Sequence, residues 1–190
     1  IVINEIQYKG SSSVLGLSQA QLEYIELHNI SNRTVPLFNP IEPLNTWRLS
    51  GGISVAFPSE INLPSNGYLL LVGFDPIINP SLESRFRDYY NVPREVELIG
   101  PLKGRLSNSG ESISLLRPDN TQGIDQVDAG YVPYIPVERI SYDNVSPWPS
   151  NANGSGLSLQ RSSIFKFGDD PENWYSALPT VGRKNAEVTV

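Results

Sequence analysis

The sequence predicts an all-β protein built as an antiparallel sandwich or barrel, with loop insertions and one short helix. Three observations point there. Short runs rich in β-branched and aromatic residues recur along the 190 residues, turn chemistry separates nearly every pair of them, and only one stretch spaces its apolar residues as a helix does.

Residues 1–8 and 22–30 open the series as strands. In the second run Ile25 and Leu27 alternate with Tyr24, Glu26 and His28, so Ile25 and Leu27 are expected to face a core. Between the two runs, residues 9–21 hold Gly10, three consecutive serines, Gly16 and Ser18, which suits an exposed loop. Further strands are expected at residues 46–49, 53–57, 67–72, 95–99, 112–117, 124–127, 137–142 and 156–161. The turns are Ser50-Gly51-Gly52, Pro64-Ser65-Asn66-Gly67, Asn108-Ser109-Gly110 and Pro118-Asp119-Asn120, each offering positive φ or a preset proline angle. The helix begins with Asn79 as cap and Pro80 in the first position. It carries Leu82, Phe86 and Tyr89 on one side, stops at Asn91 and Pro93, and reads as an insertion packed on a sheet.

Composition narrows the function classes. With 39% hydrophobic and 18% charged residues the chain is expected to fold as a single domain over residues 1–190. A net charge of −6 repels a phosphate backbone, so nucleic acid is not an expected partner. The absence of Cys removes thiol nucleophiles, disulfides and thiolate metal sites together. No apolar run approaches the roughly 18 residues of a membrane span, and no leader pattern opens the sequence, which reads as a soluble chain. It starts at Ile1 and contains no Met, so a processed product or a piece of a longer protein is expected.

Catalytic constellations are sparse. His28, the single histidine, shares a strand face with Glu26 two residues away, and a carboxylate there could orient the imidazole as a base. No Gly-x-Ser-x-Gly elbow accompanies it, and a structural or surface role for His28 is the preferred reading, with a hydrolase-type site as the alternative. Glu23 and Glu26, three apart on a strand, face opposite ways and cannot pair. The Gly154-Ser155-Gly156 cluster lacks the third glycine and the helix of a dinucleotide fingerprint.

Two stretches carry binding candidates. Asp169, Asp170 and Glu172 place three carboxylates on one loop, the oxygen-rich spacing calcium favours. The same residues also suit a cap on a short turn started by Pro171, with Trp174 buried behind it; capping is preferred, and calcium is the one cofactor the sequence suggests. Tyr131, Tyr134, Tyr142 and Trp148, interleaved with prolines, form a candidate stacking platform for a sugar or peptide, or else an irregular edge closing one end of the sandwich. Four Asn-x-Ser/Thr sequons begin at Asn29, Asn32, Asn144 and Asn153.

Several pieces in order resemble the lamin tail domain family in its bacterial form. They are Ile3-Asn4-Glu5-Ile6, then Glu23-Tyr24-Ile25-Glu26-Leu27-His28-Asn29, Trp47-Arg48-Leu49, residues 64–72 and residues 106–116. Trp148-Pro149, Gly156-Leu157-Ser158-Leu159-Gln160-Arg161 and the closing Asp169-Asp170-Pro171-Glu172-Asn173-Trp174 with Pro179-Thr180, Gly182 and Asn185 complete the resemblance, which runs nearly end to end. It implies an immunoglobulin-like β-sandwich, an accessory module of secreted or cell-surface bacterial proteins, and no catalytic residues. In such a sandwich Trp47 would fill the centre, and Trp174 with residues 182–185 would cover an open end. Relative to the animal domain, residues 9–21, 38–45 and 76–93 read as insertions. No heptad rod or basic targeting run supports filament assembly. The function expected is therefore a non-catalytic binding or structural module for protein or cell-surface polysaccharide. A calcium-dependent adhesion domain and a hydrolase accessory domain centred on His28 are the alternatives.

Overall fold

The computed structural model describes residues 1–11 and 15–186. In chain order its elements are β1 (Val2–Gln7), α1 (Gln19–Leu22), β2 (Tyr24–His28), β3 (Val35–Pro36), β4 (Arg48–Gly51), β5 (Val55–Ala56) and β6 (Asn62–Leu63). There follow β7 (Tyr68–Val72), α2 (Pro80–Tyr90), β8 (Glu97–Ile99), β9 (Glu111–Pro118), β10 (Tyr134–Tyr142), β11 (Ser158–Arg161) and β12 (Trp174–Ala177).

The strands form a six-stranded sheet in the order β12-β11-β1-β2-β7-β8, a four-stranded sheet β10-β9-β4-β5, and a small ribbon of β3 with β6. Every pairing is antiparallel except β7 with β8, whose connection carries α2. A parallel pair cannot be joined by a tight turn, and a helical crossover supplies the length.

Between the two larger sheets lies one hydrophobic core. Ile3, Ile25, Leu27, Leu69 and Leu159 enter it from the six-stranded sheet, and Leu49, Ile113, Leu115 and Ile140 from the other. Trp47 belongs to this core, and Trp148 packs beside Trp174 with ring centroids 5.8 Å apart. Burying each such side chain contributes about 1.5 to 3 kcal/mol, which is why the Ile25/Leu27 alternation decides which face of β2 turns inward.

The outer face of the six-stranded sheet is covered as well. Tyr24, Leu70, Val72 and Leu98 pack against Phe86 and Tyr90 of α2 and against Val181 near the C-terminus. All residues of β1 and β2 are buried, so the polar side chains alternating with the core residues lie under a third layer instead of facing water.

Several expectations change. Residues 124–127 are turn, with Ile124 and Val127 fully exposed; Gln126 N–H bonds to Gly123 O and Ala129 N–H to Gln126 O, and no strand lies alongside to give the β-branched pair a ladder. The loop at 9–21 contains α1, a second helix, nucleated by a capping box between Ser18 and Gln21; Ser12, Ser13 and Val14 of that loop lie outside the described residues. Strands β3, β6 and β12 were not anticipated. Asn79 occupies the N-cap of α2 but makes no capping bond with its side chain. Asp75 instead accepts from the N–H groups of Ile77 and Ile78 just upstream. Trp174 packs inside the core, and residues 182–185 lie across the outer sheet face instead of an open end. No helix of the described residues is long and apolar enough to cross a membrane.

Candidate functional site

The outer face of β1, β2, β7 and β11 changes character along its length. Under α2 it is apolar. In the middle it is polar and sealed, and at the far end, where β2 finishes at His28 and β7 begins at Tyr68, it opens into a cleft of about 810 Å³.

The sealed middle holds two carboxylates. Antiparallel register sets Glu5 opposite Glu26, and neither has any exposed surface. Glu5 accepts from the Tyr24 hydroxyl at 2.5 Å, the Ser158 hydroxyl at 2.6 Å, and the backbone N–H (3.2 Å) and hydroxyl (3.1 Å) of Thr180. Glu26 accepts from Asn4 Nδ2 at 2.7 Å and from Gly182 N–H at 2.6 Å. Asn185 Nδ2 then donates to the carbonyls of Asn4 and Arg161, so the segment 180–185 is stitched across the sheet. Gly182 suits this position doubly: its φ is +73°, and a Cβ there would meet Pro93 Cδ and Val96 Cγ2 at 2.8 Å.

Burial, reinforced by the charge on Glu5, holds the Glu26 carboxyl well above the ordinary range. Burial raises Glu5 too, but its donors from Ser158, Tyr24 and Thr180 oppose that rise. Of the two, Glu26 has fewer donors to oppose the rise than Glu5 has. Both are acceptors within a wall, with no open approach for a substrate. Glu23 is separate from this pair, as expected. It accepts from Leu106 N–H at 3.0 Å, and burial pushes it up to about 7.

The cleft itself is lined by Asn66, His28 and Tyr68 on one side and by residues 161–166 and 184–186 on the other. The His28 and Tyr68 rings are stacked, with centroids 4.3 Å apart and planes within 12°. Glu26 does not orient the His28 imidazole, because its oxygens are turned to Asn4 and Gly182. Burial lowers the His28 pKa, keeping the ring neutral at pH 7. Burial, with Glu26 behind it, pushes the Tyr68 hydroxyl up to about 12. Arg161 forms one wall: it donates to Glu138 at 2.6 Å and to the carbonyls of Ile3, Ser163 and Lys166, so its charge is matched.

The platform residues separate. Tyr142 is in the core, stacked on Tyr8 at 5.0 Å, and Trp148 is in the core beside Trp174. The reason for Tyr142 is that it alternates with Ile140 on the inward face of β10. Only Tyr131 is well exposed, while Tyr134 lies under the Arg48 guanidinium, 3.5 Å from its ring centroid. No shared surface joins the four.

The calcium candidates separate too. Asp170 caps the short 3-10 turn Pro171–Asn173 by accepting from Glu172 N–H, Asp169 accepts from Ser141 N–H, and Glu172 is exposed. Asn173 ties the same loop to Ser162, Ser163 and Phe167, and the Trp174 indole N–H donates to Gly168 O. The carboxylates of Asp169 and Asp170 are thus engaged in folding the loop, and no group of three acidic or His side chains among the described residues converges on one point. Melting curves in ~2 mM calcium and in chelator are expected to superimpose. A calcium-induced rise of more than about 3 °C would restore a metal site, since a weak extracellular-type site adds about 1 to 2 kcal/mol.

Asn29, at the first sequon, is fully buried and donates to the carbonyls of Arg33, Leu63 and Pro64, which gives that position a structural role. No family model, no curated protein and no solved structure matches this chain.

Proposed function

We propose that this chain is a non-catalytic binding or structural module of a bacterial secreted or cell-surface multidomain protein, immunoglobulin-like in architecture as the lamin-tail resemblance implies. One observation carries the reading: Glu5 and Glu26 face inward as hydrogen-bond acceptors, and the described residues that line the open cleft beside them include no Asp or Glu. Among the described residues no carboxylate orients His28 in that cleft, which a catalytic base of this kind requires. A rigid sandwich presenting a cleft at one end of a sheet is an arrangement by which such scaffolds bind ligands.

The test incubates the 190-residue chain with a panel of neutral and acidic cell-surface polysaccharides. It reads both co-sedimentation and release of soluble products. Retention on at least one polymer without product release is expected, and His28→Ala should not change the product reading. Product release that disappears in a folded His28→Ala variant would replace the module reading with the hydrolase one.

A further inference from the structure

A second opening shares no lining residue with the cleft. It is a groove of about 470 Å³ lined by Pro36, Phe38, Pro40, Trp47 and Pro118 among others, beside the segment that joins β9 to β10. The volume lies within the roughly 300 to 1,000 Å³ of small-ligand sites, enough for a few side chains of a partner. Three prolines give the groove a stiff wall, because a proline side chain loses no rotamer freedom when it is covered.

Two loops border the groove, residues 38–45 and 119–131, and hydrogen bonds tie them together. Asn39 Nδ2 donates to Asn120 Oδ1 at 3.0 Å and Asn45 Nδ2 to Thr121 Oγ1 at 3.1 Å. The Thr121 N–H and hydroxyl both donate to Glu42 Oε2, at 2.8 and 2.7 Å. So joined, the loops present Ile41, Leu44, Ile124, Val127 and Tyr131, five of the twelve large apolar side chains left exposed among the described residues. Scattered singly, such side chains need no explanation; gathered on two connected loops beside an apolar groove, they mark a contact surface. The same loops carry Glu42, Asp119, Asp125 and Asp128 and neither Lys nor Arg, and Arg117 in the groove lining offsets one of these four charges.

We infer that this groove docks an extended segment of a partner protein, with a bulky apolar side chain in the groove and flanking lysines or arginines against the loop carboxylates. The inference rests on the module reading and adds a protein-binding surface to it. Apolar contact supplies the affinity, and the acidic loops select a basic partner and reject an acidic one. A second copy of this chain fits less well, because the net charge is −6 and two such acidic loop pairs repel each other.

Fluorescence anisotropy of the labelled peptide Lys-Lys-Leu-Phe-Leu-Lys-Lys with the 190-residue chain tests this. The peptide is expected to bind, more weakly as salt is raised, since its lysines meet exposed carboxylates. Two control peptides, one with Glu in place of Lys and one with Ser in place of Leu and Phe, should each bind about tenfold or more weaker. Ile41→Ser, and separately Asp125→Asn with Asp128→Asn, should each weaken the first peptide about threefold or more. Circular dichroism should stay unchanged, because these side chains are exposed. Phe165→Ser, in the cleft lining, should bind like the parent chain. No binding, equal binding of either control, a loss at Phe165→Ser in place of Ile41→Ser, or loop variants that bind like the parent would each overturn the docking surface. So would a dimer of the chain alone that Ile41→Ser dissociates, which would assign the groove to a second copy. If peptide binding is absent while the polysaccharide panel shows retention, the module reading stands without this surface; if both are absent, both fall.

Discussion

Glu5→Ala is expected to lower the unfolding free energy by about 3 to 5 kcal/mol, a large part of the 5 to 15 kcal/mol typical of a whole domain. The substitution removes the acceptor shared by the Tyr24 and Ser158 hydroxyls and by Thr180, and all three lie where water has little access. Each stranded buried donor costs about 1 to 3 kcal/mol, and bonds to an ionised carboxylate stand at the upper end of that range. Relief of repulsion with Glu26 opposes this loss without removing it, since the stranded donors outnumber the one carboxyl relieved. The C-terminal segment should also loosen, since Thr180 and Gly182 are tied to the sheet through these two carboxyls. Urea denaturation gives the first quantity, and the rate of proteolysis within residues 178–186 at low denaturant gives the second. Glu5→Gln, which keeps one acceptor oxygen and the volume, should lose about half as much. A loss below ~1 kcal/mol for Glu5→Ala, or unaltered cleavage, would show that the network does not hold the segment down.

That network also marks where sequence reasoning stops. Alternation placed Ile25 and Leu27 in the core, because a strand sends neighbouring side chains to opposite faces whatever lies far away in the chain. The helix Pro80–Tyr90 was readable for a similar reason: Pro80 in its first turn and Phe86 on its buried side are local signals. Asp170 was readable as a cap from the Asp-Pro-Glu run. Glu5 and Glu26 were not readable as partners, because the register between β1 and β2 is set by the pairing itself and by an irregularity between Ile3 and Glu5. Polar residues alternating with core residues normally face water, and here a segment more than 150 residues later covers them. The cleft is distributed in the same way, with His28, Tyr68 and Lys166 brought together from three separate segments. For Tyr142 and Trp148 the sequence left open a stacking platform or rings closing an irregular edge; the inward side of β10 and contact with Trp174 decide their positions in the core.

Glu23 makes the protein's response to pH testable in sign as well as size. In the fold its carboxyl is pushed up to about 7, against an ordinary value of 4.5. Between those two values the folded chain keeps a proton that the unfolded chain has released, so stability falls as pH rises through the window. Below 4.5 both states are protonated and the contribution is fully present, and above 7 it is lost. At about 1.4 kcal/mol per unit the Glu23 contribution is on the order of 2 to 3 kcal/mol. Glu26, also raised, adds a fall of the same sign. His28 opposes them: its lowered pKa keeps it neutral in the fold, so its contribution is lost as pH falls below the ordinary histidine value. The measurement that isolates Glu23 is therefore the difference in unfolding free energy between the parent and Glu23→Gln, followed from pH 4.5 to 7. Gln keeps an oxygen to accept from Leu106 N–H but cannot titrate. The parent should lose about 2 to 3 kcal/mol more than the variant across this range. Parallel curves for the two proteins would mean that Glu23 ionises in the fold as it does in water, and that its burial behind Leu106 is not what the geometry indicates.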